Sequence, residues 1–109
     1  MYRASTPRHV FTFDFDPEKY FQRIQISYAQ EDQVLLTKEK EDLTFESRDT
    51  ACGTVWTASF QMTQEETKLF EGRPFASVQV RFLDTDGNVI TSPIARIRIE
   101  NVLNDEVLI

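Results

Sequence analysis

Large apolar residues alternate with polar ones in a series of short segments along this chain. Phenylalanines at positions 11, 13 and 15 form the first set, and four more sets follow: Ile24, Ile26 and Tyr28; Trp56, Ala58, Phe60 and Met62; Val78, Val80 and Phe82; Ala95, Ile97 and Ile99. Successive side chains of a β-strand point to opposite faces, so each set predicts a strand with one buried face and one wet face. The pattern predicts an all-β, antiparallel domain.

Turn residues divide the pattern into about seven strands. The predicted strands cover roughly residues 9–15, 22–30, 33–40, 54–62, 75–83 and 89–99, with alternation also at 43–45 and a turn or loop at 48–53. Val34 and Leu36 are expected to face the core. Asp86-Gly87 is a strong hairpin signal, and Pro93 predicts a break or bulge because proline cannot donate to a β-ladder. Strand number and turn spacing favour a two-layer, immunoglobulin-like sandwich over a barrel.

Two short helical turns are predicted between strands. Asp16 is an N-cap type of residue and Pro17 suits the first helical position, which predicts a turn over Pro17–Tyr20. Thr63 and Glu66 have the spacing of a capping box, which predicts a helix over Gln64–Phe70. Residues 71–74, Glu-Gly-Arg-Pro, are expected to end it.

Length and composition fit one domain with an aromatic core. The 109 residues include nine phenylalanines, three tyrosines and one tryptophan, and each such side chain can bury roughly 150–250 Å². We therefore expect a single sandwich domain over residues 9–109, preceded by an arm of residues 1–8, with no need for a metal or other cofactor. Cys52 is the only cysteine, so no internal disulfide can form, and a lone thiol suits a reducing compartment.

Acidic residues outnumber basic ones by 18 to 12, which gives a formal charge of −6. Such a surface repels phosphate backbones, so nucleic acid is not an expected partner. No apolar run approaches the roughly 20 residues that span a bilayer, and the first residues lack a signal-peptide core, which predicts synthesis and retention in the host cytoplasm. The run Lys38–Asp42 alternates in sign and is interpreted as a solvated, protected sheet edge.

Candidate carboxylate sites have simpler structural interpretations. Asp84, Asp86 and Asn88 resemble a calcium loop superficially, but Gly87 does not fall where an EF-hand requires its glycine, and a hairpin turn explains them. Asp14 and Asp16 would share an outer face, as acid/base pairs can, yet Asp16 is better explained as a helix cap.

The remaining reactive side chains form no catalytic signature. His9 borders the arm and is interpreted as an exposed strand-end residue, and Cys52 lacks the basic neighbours that activate a thiol. Trp56 shares its face with Ala58 and Phe60 and is interpreted as core, with a sugar-stacking platform as the alternative. An enzyme is not expected.

The two ends of the chain differ in charge and apolar content. Residues 1–8 carry only basic charges, whereas residues 100–109 combine Glu100, Asp105 and Glu106 with several apolar side chains. These apolar residues are expected either to add a strand to their own sheet or to dock on a neighbouring copy. The candidate subunit contacts are Arg3, Arg8, Val102, Leu103, Val107, Leu108 and Ile109.

Several segments, taken in order, carry a family resemblance. They are residues 3–15 with their Thr-Pro and Phe-x-Phe pattern, 24–30, 34–38, 63–70, 78–81, Asp86-Gly87 and 102–108. In this order they resemble a family of small, uncharacterised phage and prophage proteins of Gram-positive, mostly clostridial, bacteria. The resemblance implies a β-sandwich from the tail or baseplate region and supplies no catalytic residue.

Resemblance and residue chemistry together predict a non-enzymatic structural or assembly module. Such a module acts through protein–protein contacts, with copies of itself or other virion proteins as partners, and resides in the virion if it is structural. A homo-oligomer is compatible with this prediction, and a membrane partner is not expected. The alternative is a host-surface or carbohydrate-binding module.

Overall fold

Two antiparallel β-sheets pack face to face around one core. The computed structural model describes residues 1–71 and 75–109. The strands of the described part are β1 (Arg8–Phe13), β2 (Phe21–Gln30), β3 (Gln33–Glu39), β4 (Thr44–Thr50), β5 (Gly53–Gln61), β6 (Phe75–Asp84), β7 (Val89–Thr91) and β8 (Ala95–Arg98). One sheet has the order β1-β5-β4, and the other has the order β3-β2-β6, with β7 and β8 both paired to β6. The predicted all-β sandwich is confirmed.

The pairing of β2 defines the topology. This strand lies between β3 and β6 in the larger sheet. In a constant-type immunoglobulin domain the second strand lies instead in the sheet of the first, fourth and fifth strands. The chain therefore shares with that fold two packed layers and a similar number of strands, but its strand order is different.

The core lies where the predicted apolar faces meet. Its buried members include Ile24, Ile26 and Tyr28 of β2, Phe60 of β5, and Val78 and Val80 of β6. The phenylalanines of β1 pack against this cluster from the smaller sheet. Period-two alternation thus correctly identified the inward faces of β1, β2, β5 and β6.

Side-chain caps start both α-helical turns. The helix α1 spans Pro17–Tyr20 as predicted, and the Asp16 carboxylate accepts hydrogen bonds from two of its first amides. The helix α2 spans Gln64–Thr67, and Thr63 and Glu66 form the predicted capping box. It is three residues shorter than predicted, because the amides of Leu69 and Phe70 bond carbonyls three residues back, as in a 3₁₀ turn. Gly72, Arg73 and Pro74, on which the predicted stop was based, lie outside the described residues.

A bulge overturns the expectation that Val34 faces the core. Tyr28 pairs with Leu36 and its neighbour Ala29 pairs with Val34, so Leu35 is an extra residue in β3. One extra residue exchanges the faces of all residues beyond it. Val34 is consequently 59% exposed, whereas Leu35 and Leu36 pack against the core.

The segment predicted as a turn or loop over 48–53 is mostly strand. Arg48, Asp49 and Thr50 belong to β4, and only Ala51 and Cys52 form the turn to β5. The Thr50 hydroxyl accepts from the Cys52 amide and donates to the Gly53 carbonyl, so two residues suffice to reverse the chain.

The predicted break at Pro93 is confirmed and explains the eighth strand. β7 and β8 lie along the same edge of β6, before and after the proline. At the break the Ser92 amide donates to the Val80 carbonyl at 2.8 Å, and the Ser92 hydroxyl accepts from the Val80 amide at 2.9 Å. A side chain therefore replaces a backbone acceptor where the ladder is interrupted.

Candidate functional site

The charged run Lys38–Asp42 begins in the edge strand β3, as the interpretation of a protected edge requires, but Lys38, Glu39 and Lys40 are half-buried and also fasten elements together. Lys38 lies on the inner face of β3 and pairs with Glu66 of α2 at 2.5 Å, while Glu39 pairs with Arg23 at 3.0 Å. The Lys40 ammonium donates to two backbone carbonyls near α1, at 2.8 and 2.7 Å. Asp42 accepts from the Glu39 amide and thereby caps a 3₁₀ turn over Lys40–Asp42.

His9 is half-buried between the sheets rather than exposed. Its Nδ1 atom lies 2.6 Å from the Tyr28 hydroxyl, and its ring packs against Tyr28 and Phe60 at centroid distances of 5.5 Å. Burial, and then the positive N-terminal ammonium, lower the pKa of His9. Burial, and then the Glu66 charge, raise the pKa of Tyr28. A neutral imidazole and a neutral phenol therefore share a hydrogen bond at neutral pH.

The only cysteine lies far from the only histidine. His9 is opposite Phe60 near the end of β5, whereas Cys52 lies in the turn before β5 begins. At about 3.3 Å per residue, roughly 25 Å of strand separate them. The two side chains cannot work as a nucleophile and its base.

Two of the candidate carboxylates hold local turns. Asp16 caps α1, as predicted, and Asp84 accepts from the amides of Asp86 and Asn88 at 2.9 and 2.8 Å. The hydrogen bond from the Asn88 amide is the main reason that the pKa of Asp84 is lowered. Gly87 has a φ of +87°, which suits the left-handed position of this hairpin.

Within residues 1–71 and 75–109, no three His, Cys, Asp or Glu side chains are grouped so that they could hold a metal ion.

Among the helices of those same residues, none has the length and apolar character needed to cross a membrane.

Trp56 is half-buried at one end of the smaller sheet. It lies opposite Phe13 on the inward face of β5. Together with Pro17, Phe45 and the carboxylate-bearing residues Asp16, Glu18 and Glu46, it lines a shallow depression. The indole thus has a packed side and a side that solvent reaches.

Arg3 brings the two ends of the chain together. Its Nε donates to the Phe70 carbonyl at 2.7 Å, and its Nη1 lies 3.2 Å from the Asp105 carboxylate. A further backbone bridge joins Tyr2 to Glu100 in parallel, with the Arg3 amide donating to the Glu100 carbonyl at 3.0 Å. One ion pair, between Arg3 and Asp105, therefore joins the basic arm to the acidic tail, residues 100–109, within one chain.

Buried Thr67 secures the arm to α2. Its hydroxyl accepts from the Ser5 amide at 3.1 Å and lies 3.0 Å from the Ser5 carbonyl. The Pro7 carbonyl then accepts from the Met62 amide at 2.9 Å, just before β1 begins. The arm is thus fixed along its length by hydrogen bonds that its backbone amides and carbonyls form with other parts of the chain.

Gln64 holds the tail from the other side. Its side-chain amide donates to the Leu108 carbonyl and accepts from the Leu108 amide, both at 2.7 Å. Val102 and Val107 are half-buried, whereas Leu103, Leu108 and Ile109 are exposed. Arg8 is exposed and donates to the Ser59 hydroxyl. The tail pairs with the rest of the described chain only through the Tyr2–Glu100 bridge, so the first of the two alternatives, an additional strand in its own sheet, does not form there.

Gln64 and Thr67 hold the tail and the arm through hydrogen bonds that the sequence pattern does not reveal. The sequence predicts only a short helix for both residues, and their partners lie 44 and 62 residues away. No local spacing rule connects such distant positions.

No protein-family model matches the chain, and no curated protein matches it in sequence.

Proposed function

We propose that this chain is a non-enzymatic structural or assembly module of a phage or prophage particle, in its tail or baseplate region, and that it works through protein–protein contacts. The observation that carries the proposal is the presentation of Leu103 and Leu108. Both side chains are exposed, although Arg3 and Gln64 fix the backbone of the tail that bears them. An ordered segment with outward apolar side chains loses little entropy on docking, as an interface requires.

The bonding of the reactive side chains supports a role without catalysis. His9 shares a hydrogen bond with the buried Tyr28 hydroxyl, and Asp16 and Asp84 each cap a turn. These groups stabilise the fold. The family resemblance supports the virion setting.

The contact role is tested by size-exclusion chromatography with light scattering. The full chain is compared with a version ending at Glu100 and with the double variant Leu103→Ser, Leu108→Ser, whose substitutions lie on the surface. We expect a larger particle for the full chain than for either variant, with an unchanged melting temperature for the double variant. Val34→Ser, at an exposed apolar site on β3, is the matched control and should assemble normally. Equal masses for all forms would contradict a contact role for the tail.

The virion setting is tested separately by mass spectrometry of induced, purified particles from a bacterium that carries the gene. Recovery of the chain at a fixed ratio to a tail protein supports the proposal. Its recovery only in the particle-free fraction contradicts it.

Trp56 supports a second candidate function, a carbohydrate-binding module. A partly exposed indole beside Asp16 and Glu46 offers a stacking face and hydrogen-bond acceptors, the two features that sugars use. Because Trp56 is the only tryptophan, its fluorescence reports directly on this depression. Saturable quenching by cell-wall sugars, lost in Asp16→Asn with Glu46→Gln, would favour this candidate, and no response would favour the assembly module.

A further inference from the structure

The outer side of β4 is an unpartnered sheet edge. β4 is paired with β5 along its whole length, from Thr44 opposite Ser59 to Thr50 opposite Gly53, without a register shift. In the described chain no strand pairs with its other side. Alternate backbone amides and carbonyls therefore face outward along seven residues, which is a template for another strand.

The other open edges are less suited to pairing with a second copy of themselves. β3 has its bulge at Leu35 and an inward charge at Lys38, and β7 and β8 are short segments interrupted at Pro93. β1 carries the single charge of Arg8 and no acidic residue to complement it. β4 has no bulge, proline or glycine.

Two of the three charged residues of β4, Glu46 and Arg48, would complement each other in a two-fold pairing of this strand, while the third, Asp49, already accepts a hydrogen bond from Thr54. Glu46 and Arg48 are exposed on the same face, opposite Thr57 and Val55 of β5. Within residues 1–71 and 75–109 neither side chain has a hydrogen bond or ion pair. An antiparallel two-fold pairing centred on Ser47 would place Glu46 of each copy opposite Arg48 of the other. Thr44 would then lie opposite Thr50, another favourable cross-strand pair.

We propose that two copies of this chain pair through β4, antiparallel about a two-fold axis at Ser47, and so join their three-stranded sheets into one continuous sheet. The pairing uses the same surface on both copies and closes on itself as a dimer. This inference rests on the proposed assembly function and assigns it a partner and a surface distinct from the tail.

Charge exchange tests the register. Arg48→Glu places like charges opposite each other at two symmetry-related positions, and so does Glu46→Arg. We expect each single variant to raise the dimer dissociation constant roughly tenfold or more. The double variant Glu46→Arg, Arg48→Glu restores opposite charges and should restore the dimer. Arg81→Glu, on the other sheet, is the matched control and should dimerise normally.

Cross-linking tests the axis position in a Cys52→Ser background. Residues directly opposite in an antiparallel pair have Cα atoms about 4.5–5.5 Å apart, within disulfide range. Mild oxidation of Ser47→Cys should therefore yield a covalent dimer. Thr44→Cys is the control, because its two copies would be roughly 20 Å apart and should remain monomeric on a denaturing gel.

The outcomes distinguish this inference from the proposed role of the tail. A full chain that is monomeric at all accessible concentrations, single variants that dimerise like the original, or a double variant that fails to recover would each overturn the β4 pairing. If only the tail variants reduce assembly, the tail proposal stands and the β4 pairing is wrong. If only the β4 variants reduce it, the β4 pairing stands and the tail is not the contact.

Discussion

The Tyr28 hydroxyl lies 2.6 Å from Nδ1 of His9 and joins the two sheets through a polar contact inside an aromatic cluster. Because burial lowers the pKa of His9, the unfolded chain binds a proton more readily than the folded one. The contribution of His9 to stability is therefore complete above the ordinary histidine pKa of about 6.5, and it is lost as the pH falls below that pKa.

We predict that the free energy of unfolding decreases between pH 7 and pH 5, and that His9→Gln removes this decrease. Urea unfolding at a series of pH values measures it, and His9 is the only histidine, so nothing else titrates as an imidazole. Parallel pH profiles for the two proteins would show that His9 is not the responsible group.

Ser92→Ala should destabilise the larger sheet. The Val80 amide would lose its acceptor in a strand that is buried on its inner face. We expect a loss of about 1–3 kcal/mol in the free energy of unfolding, measured with urea. Ser92→Thr keeps the hydroxyl and should lose much less; an equal loss in both variants would argue against the hydrogen bond as the cause.

Glu66→Ala should cost roughly 2 kcal/mol of stability. Glu66 accepts from the Thr63 amide in the capping box and from Lys38, whose side chain is only 17% exposed. Burial alone would raise the pKa of Glu66, but the hydrogen bonds from Lys38 and Thr63 outweigh it and lower that pKa. The stabilisation is therefore present above the ordinary glutamate pKa and is lost as acid protonates the carboxylate.

Glu65→Ala serves as the control for that variant, since Glu65 is exposed on the same helical turn. Thermal melts at pH 7 and at pH 3 should show a large difference between the two variants at the higher pH and a smaller one at the lower pH. A difference independent of pH would mean that lost packing explains the effect.

Arg3→Met should release both ends of the chain at once. The variant keeps an apolar stem but loses the bonds to the Phe70 carbonyl and to Asp105. We expect faster amide hydrogen exchange in residues 1–7 and 101–108 and a loss of roughly 1–2 kcal/mol in stability. Arg8→Met removes a single bond to Ser59 and should leave exchange at the tail unchanged. Faster exchange at the arm alone would show that Arg3 does not hold the tail.

Local chemistry made much of the fold predictable from sequence. Alternation identified the inward residues of β2 and β6, and both helical turns begin where Asp16 and Thr63 can cap them. The break at Pro93 follows from its missing amide. Each of these features depends on residues close together in the chain.

Predictions of burial and contacts were wrong where a single inserted residue or a partner distant in the chain determines the position of a side chain. The extra residue Leu35 resembles any other strand residue, so the neighbouring sequence contains no signal that Val34 faces outward. His9 is buried by Tyr28 and Phe60, and Lys38 finds Glu66, across long intervals of sequence. In the candidate site, the apolar character of the tail can be recognised from the sequence. Its attachment through Gln64 and Arg3 cannot, because those residues are distant in the chain.

The strand order also constrains when the protein can fold during synthesis. The hairpins β2–β3, β4–β5 and β6–β7 join neighbours in the chain, whereas β1 must wait for β5 to complete the smaller sheet and β2 must wait for β6 to complete the larger one. A nascent chain released as far as β5 still has one edge of β2 unpaired. Closure of the sandwich is therefore a late event after long-range search, and such topologies fold over milliseconds to seconds.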